Sequence, residues 1–283
     1  MARLETEDGI SLYYEHHLPT AAGESAAAPL PTVVFSCAYC TTHENWRGQV
    51  APLLAAGHPV VLWDLRGHGR SDAPEDDAAY SMELVVSDLH ALASATTPER
   101  PFVAAGLSFG GLASLHYMKH HPERVAALAL FGSGPGFKNP KAAAGWAAQV
   151  ERTASFLETR GFDDFVSGRA GVTCIGAKPE LPAARAAGEA IRAQSVAGVA
   201  RFGRLVSGPA PSVIDELATM DVPALVMVGE KDEAFLRAAE VMASKLPRAR
   251  HVVIPDAGHI LNIEASSAFD AALLDFLASI ADG

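Results

Sequence analysis

Phe102-Val103-Ala104-Ala105-Gly106-Leu107-Ser108-Phe109-Gly110-Gly111 runs from six apolar or small residues into a serine flanked by glycines, and then into an amphipathic stretch. Phe102–Leu107 predicts a buried strand, and Phe109–His121 predicts a helix that Pro122 stops, because proline cannot continue the helical hydrogen-bond ladder. Between them stands G-x-S-x-G at 106–110. In a strand–turn–helix context this pattern presents a serine on a tight, strained turn. Small residues at 106 and 110 let strand and helix approach closely. The turn lifts the hydroxyl above the sheet, and the helix N-terminus beneath it favours developing negative charge. The five-residue string alone reads equally well as a Gly-rich turn. The flanking strand and helix are what make Ser108 the candidate nucleophile.

Outward from this centre the chain alternates. Leu12–Leu18 reads as an early strand, and the Ala/Gly/Pro-rich stretch Thr20–Pro31 as a loop. Thr32–Cys37, Val60–Trp63, Val125–Phe131, Ala224–Val228 and His251–Ile254 read as short buried strands. Trp46–Ala56, Ser81–Ala95, Phe235–Leu246 and Ser266–Ile280 carry apolar residues at helical spacing, with Ser81 and Glu83 suited to a helix start. Short apolar strands alternating with amphipathic helices imply an α/β fold with a mostly parallel, doubly wound sheet covered on both faces. Gly134–Ser212 breaks the rhythm. It holds no convincing strand, is rich in Ala and Arg, and shows helix-like pieces around Trp146–Thr159 and Ala183–Leu205. It is expected to be an inserted helical cap, 134–212, between the two parts of a core domain, 1–133 and 213–283.

A serine hydroxyl is a weak nucleophile without a base. Of the 11 histidines, His259 alone sits past the C-terminal end of a late strand and before the last helix. His16, His17, His120 and His121 read as solvated, His116 lies on the helix after Ser108, His251 begins a strand at the wrong end, and His68 in a turn is a distant second candidate. The base needs an orienting acid. Asp232 follows the strand Ala224–Val228 and precedes the histidine by one helix and one strand. Glu230 and Glu233 are close rivals.

The composition narrows the classes. A chain of 283 residues that is 49% hydrophobic buries a sizeable core, which excludes the disordered class. A net charge of −11 without a basic stripe argues against nucleic acid as a partner. Three cysteines are no disulfide framework. No apolar run reaches the ~18 residues of a membrane span, and the first residues, MARLETEDG, lack the apolar core of a signal peptide, so the expectation is a cytoplasmic protein. Cys37-x-x-Cys40 invites a redox or zinc reading, but further ligands at metal spacing are not evident. The two thiols are expected to line a pocket, with no metal and no cofactor required.

These motifs together resemble the α/β-hydrolase family over essentially the whole chain. The order Ser, Asp, His is the order of that fold. Asp64-Leu65-Arg66-Gly67-His68-Gly69-Arg70-Ser71 resembles the D-x-R-G-x-G-x-S loop of its esterases, lactonases, epoxide hydrolases and dehalogenases. Gly106–Gly111 is similar to the elbow of enol-lactonases and related carboxylesterases. The resemblance implies a lid where the 134–212 insertion lies, and an oxyanion hole made by backbone N–H groups. Relatives carry His-Gly after the strand 32–35. With Trp46 fixing the register, Cys37-Ala38 stands there, so Tyr39 and Phe109 become the implied donors and Cys37, Ala38 and Cys40 the pocket wall. Ala in place of Gly would make a positive φ costlier at that position.

The implied activity is hydrolysis of a small-molecule carboxylic ester or lactone through an acyl-serine. C–C bond hydrolysis, acyl transfer or perhydrolysis on the same triad, and a non-catalytic ligand receptor, stand as alternatives. Epoxide hydrolases and dehalogenases need a carboxylate where Ser108 stands. Ten basic against six acidic side chains in 134–212 read either as a solvated surface or as arginines turned inward to hold a substrate carboxylate.

Overall fold

The computed structural model describes residues 2–20, 30–98 and 100–281. Most of the stretch read as the loop Thr20–Pro31 lies outside the described residues. The strands are β1 (Ala2–Glu5), β2 (Ser11–His17), β3 (Val33–Ser36), β4 (Val60–Trp63), β5 (Phe102–Leu107), β6 (Val125–Phe131), β7 (Ala224–Gly229) and β8 (Ala249–Ile254). They form one sheet in the order β1-β2-β4-β3-β5-β6-β7-β8. β2 pairs antiparallel with β1 and β4, and the other pairs are parallel. β1 is an addition to the sequence reading. Its four residues alternate between half-buried and exposed, and so short an alternation carries too little apolar signal to register.

The helices are α1 (Arg47–Ala55), α2 (Met82–Thr96), α3 (Phe109–His120), α4 (Pro140–Ser167), α5 (Val172–Ile175), α6 (Pro182–Arg192), α7 (Val196–Phe202), α8 (Glu233–Lys245), α9 (Leu261–Glu264) and α10 (Ser266–Ala281). Among the described residues no helix is long and apolar enough to cross a membrane. The sheet is covered on both faces, as strands that are apolar on every residue require. Val33, Phe35, Val103 and Met227 join one core with Trp46, Leu53, Phe269 and Phe276 of the α1/α10 side. Their strand neighbours Val34, Ala104 and Val226 join a second core with Leu89, Leu115 and Met242 of α2, α3 and α8. Strand order reverses between β3 and β5, and the crevice past the C-terminal ends of strands at such a switch point is where open α/β sheets bind ligands.

Asp64–Ser71 is a polar buttress beside that crevice. The fully buried Asp64 carboxylate accepts from His43 N (2.7 Å), Arg70 N (2.9 Å) and His43 Nδ1 (2.9 Å). A side chain at Gly69 would stand 2.2 Å from that carboxylate, so only glycine fits. Arg66, also fully buried, forks onto Asp88 at 2.7 and 2.6 Å. Buried charges of this kind persist only when paired and hydrogen-bonded.

Between β6 and β7 the described chain carries helices α4–α7 and a π-helical turn, Gly203–Ser207. It leaves and rejoins the sheet at one place: Val213 N (2.8 Å) and Ser212 Oγ (3.1 Å) both donate to Pro135 O. The helical piece expected over 183–205 is divided at Gln194. Its buried amide donates to Cys40 O (3.1 Å) and accepts from Gly69 N (3.0 Å), tying the inserted segment to two loops of the crevice.

Candidate active site

Ser108 has φ 54° and ψ −115°, a strained conformation for a residue with a side chain. The packing around it leaves little alternative. A Cβ at Gly106 would stand 2.2 Å from Gly110 C, and one at Gly110 would stand 2.2 Å from Ser36 O. Ser108 N donates to Phe131 O (2.9 Å), and the Ser133 hydroxyl donates to Ser108 O (2.7 Å). Gly111 makes room for Ser133, whose Oγ would be 2.5 Å from a Cβ there. The Ser108 side chain makes no capping bond to α3, so the turn is held by backbone and the hydroxyl is left for other work.

Asp232 precedes α8 and is buried, while Glu230 and Glu233 are exposed. His259 Nδ1 lies 2.8 Å from Asp232 Oδ2. Glu230 instead accepts from Asp256 N (3.0 Å) at the surface. Gly132, just past β6, would bring a Cβ to 3.1 Å from Asp232 Oδ2 and 3.3 Å from His259 Nδ1, so the pair sits directly behind the end of the strand that holds the Ser108 turn. Phe235 stacks on the imidazole with centroids 4.9 Å apart. Among the described residues no hydrogen bond joins His259 to Ser108.

The histidine loop is held from below by Glu264, which sequence reasoning missed. Its buried carboxylate accepts from Gly258 N (3.0 Å) and Ile260 N (3.3 Å), the amides on either side of His259. Lys178 Nζ of the inserted segment donates to Glu264 O (2.9 Å). An acid five residues past the candidate base was the only available signal. Glu264→Ala is expected to orphan two buried N–H groups at about 1–3 kcal/mol each. Urea unfolding checks this, and Glu264→Gln, which keeps one acceptor, should lose less.

His68 is not available as a base. It is buried, its Nδ1 faces Arg66 O (3.2 Å), and its Nε2 accepts from Cys40 N (3.3 Å). Burial lowers its pKa to about 4. Between pH 6.5 and about 4 the unfolded chain therefore binds the proton that the folded chain refuses. The contribution of His68 to stability is full above pH 6.5 and is lost as pH falls through that window. Unfolding midpoints from pH 7 to 4 should show this loss, and a His68→Gln variant should flatten it.

The positive φ considered for position 38 falls at Cys40 instead, at φ 70°. The His68 contact to the Cys40 amide holds that turn. Among the described residues no acceptor takes the backbone N–H of Tyr39 or of Phe109, as an oxyanion hole would require. Cys37, Ala38 and Cys40, expected to line a pocket, are not among the residues that wall the cavity beside Ser108. All three are buried in the core, and the Cys37 thiol donates to Trp63 O (3.3 Å). Burial raises the Cys37 and Cys40 thiol pKa values, which makes them unreactive. Among the described residues no group of three His, Cys, Asp or Glu is placed to hold a metal ion.

The cavity beside Ser108, about 170 Å³, is walled by Phe109 and Leu112 of α3, Phe235 and Ala238 of α8, and Phe137 and Trp146 of the inserted segment. Its lining residues with polar side-chain groups are Ser108, Ser207 and Trp146, and the Trp146 indole N–H is already paired with Ser207 O. The arginines of the inserted segment do not reach it. Arg204 forks onto Glu151 and Glu158, Arg201 pairs with Asp77 and Arg192 with Asp163. The inward-facing reading of these arginines is thereby corrected, because the nearby acids already hold their guanidinium groups at the surface.

A model of the alpha/beta hydrolase fold matches residues 31–266. The chain is 26% identical over 252 residues to 3-oxoadipate enol-lactonase 1 of Acinetobacter baylyi, covering 88% of this chain and 90% of that one. It is 29% identical over 238 residues to the pimeloyl-[acyl-carrier protein] methyl ester esterase of Edwardsiella ictaluri, covering 82% and 88%. The solved structure of a thermophilic esterase from Thermogutta terrifontis superposes with a TM-score of 0.82 at 24% identity, covering 99% of this chain and 98% of that one.

Proposed function

The chain belongs to the alpha/beta hydrolase fold family, and on that basis we propose that it is a serine hydrolase of carboxylic esters or lactones. The observation that carries this reading is the 2.8 Å contact of His259 Nδ1 with buried Asp232, set behind a serine on a strained strand-to-helix turn. Ser108 Oγ attacks the ester carbonyl carbon while His259 Nε2 takes its proton. Asp232 holds the tautomer that leaves Nε2 free and stabilises the imidazolium. The backbone N–H groups of Phe109 and Tyr39 stabilise the oxyanion. Collapse breaks the acyl–oxygen bond, and His259 returns the proton to the leaving alcohol, which in a lactone stays tethered. Water, deprotonated by His259, then releases the acid and regenerates Ser108. The serine–histidine hydrogen bond forms with substrate in place, as such bonds do in enzymes whose free form leaves them long.

Residues 134–212 act as a lid in this reading. Phe137 and Trp146 close the wall that α3 and α8 leave open. Names of relatives, an enol-lactonase and a methyl ester esterase, agree with ester chemistry at low identity. The test is covalent labelling with a fluorophosphonate, read by peptide mass spectrometry, together with hydrolysis of acyl esters and lactones of graded length. One adduct, on Ser108, and turnover of neutral esters are expected. A protein that takes no label and turns over no ester would instead be a receptor built on the same fold.

A further inference from the structure

Ser207 is 1% exposed, lines the cavity beside Ser108, and its Oγ has no hydrogen-bond partner among the described residues. It ends the π-helical turn, closed by Gly208 N donating to Gly203 O (2.8 Å). The turn is fixed on both sides. A Cβ at Gly203 would stand 2.2 Å from the Tyr39 hydroxyl, so the turn lies tightly on that phenol. The Ser207 carbonyl accepts from the Trp146 indole N–H (2.8 Å), which locks two residues of the cavity wall together. Single π turns recur at functional sites, and a buried hydroxyl without a partner is destabilising until something pairs with it. No ionisable side chain lines the cavity, so a carboxylate placed there would be desolvated without a counter-charge.

Resting on the serine-hydrolase reading, we infer that the substrate group held beside Ser108 is uncharged and mostly apolar. It carries one neutral oxygen, of a ketone, ether or alcohol, that accepts a hydrogen bond from Ser207 Oγ once this hydroxyl, closed off within the wall of the unliganded protein, turns about its Cα–Cβ bond towards the cavity. Carried on a backbone turn held at both ends, this hydroxyl discriminates between isosteres, because a substrate lacking the oxygen leaves it dry and unpaired.

The inference is tested by binding to the Ser108→Ala protein, so that no turnover is involved. Trp46 and Trp63 have no exposed surface, whereas Trp146 lines the cavity and reports binding by its fluorescence. Two isosteric pairs are compared: ethyl 4-oxopentanoate with ethyl pentanoate, and 3-oxobutyl acetate with butyl acetate. They place the ketone on the acyl and alcohol sides. Monoethyl succinate supplies the charged probe. In one pair the keto ester should bind about tenfold more tightly, as one net hydrogen bond allows, and monoethyl succinate should bind more weakly than ethyl pentanoate. Adding Ser207→Ala should bring the keto-to-alkyl ratio close to one; if that double variant fails to fold, Ser207→Cys serves. Equal affinities within both pairs, a keto advantage that survives loss of the hydroxyl, or succinate binding as tight as pentanoate would each overturn the inference. None of these results bears on whether Ser108 is acylated, which the fluorophosphonate experiment decides separately.

Discussion

Ser108→Ala is expected to lower kcat on ester substrates by roughly 10⁴ or more, with the unfolding midpoint nearly unchanged. The two halves of this expectation have separate causes. The hydroxyl makes no capping bond to α3, while the turn is held through the Ser108 backbone by Phe131 and Ser133. Removing Oγ therefore orphans no partner, and alanine bears the same positive φ that serine already bears. What disappears is the atom that forms the acyl bond. The residue of activity would be what the oxyanion N–H groups and substrate binding supply to attack by water. Steady-state kinetics on one ester, with thermal unfolding alongside, measures both halves. Activity near that of the parent protein would remove Ser108 from the mechanism.

Asp232→Asn is expected to cost roughly 10³–10⁴ in kcat. The carboxylate of Asp232 accepts only, so it fixes a proton on His259 Nδ1 at 2.8 Å and leaves Nε2 as the acceptor that the proposed mechanism uses. An amide can present its NH₂ group to Nδ1 and reverse the tautomer, which puts the proton on the wrong nitrogen. Glu230→Gln and Glu233→Gln should change kcat only a few-fold, since both side chains are exposed and Glu230 faces the Asp256 amide rather than the imidazole. If Glu230→Gln proves the more damaging substitution, the orienting acid is misassigned.

The elements around these residues were legible to different degrees. β4, β5 and β6 are runs of buried apolar residues closed by turn or breaker residues, and their bounds coincide with the reading of the pattern. β1 escaped because a half-exposed edge strand of four residues alternates too briefly. The elbow was legible because a strand, two glycines and a helix adjoin in sequence, and the clash distances at Gly106 and Gly110 are the physical form of that pattern. Glu264 was not legible as a support for His259. Its role depends on the short helix α9 turning the carboxylate back onto the amides that flank the histidine. Helical spacing carries no information about such a return.

The sequence by itself determined the α/β class, the parallel strands at the centre of the sheet, the turn that presents Ser108, and a short set of candidates for its base and acid. All of these follow from contacts between near neighbours: alternation along a strand, spacing along a helix, small residues where two backbones must touch. Only the tertiary structure separates Asp232 from Glu230 and Glu233, by burying it 2.8 Å from His259 Nδ1. All three follow β7 closely, and what separates them is which one the fold buries against a loop 27 residues away. Only the fold moved the positive φ to Cys40, closed the thiols into the core, spent the arginines of the inserted segment on surface acids, and left Ser207 unpaired in an apolar wall. Burial and pairing of a polar side chain depend on what arrives from distant parts of the chain, and local pattern does not encode that arrival.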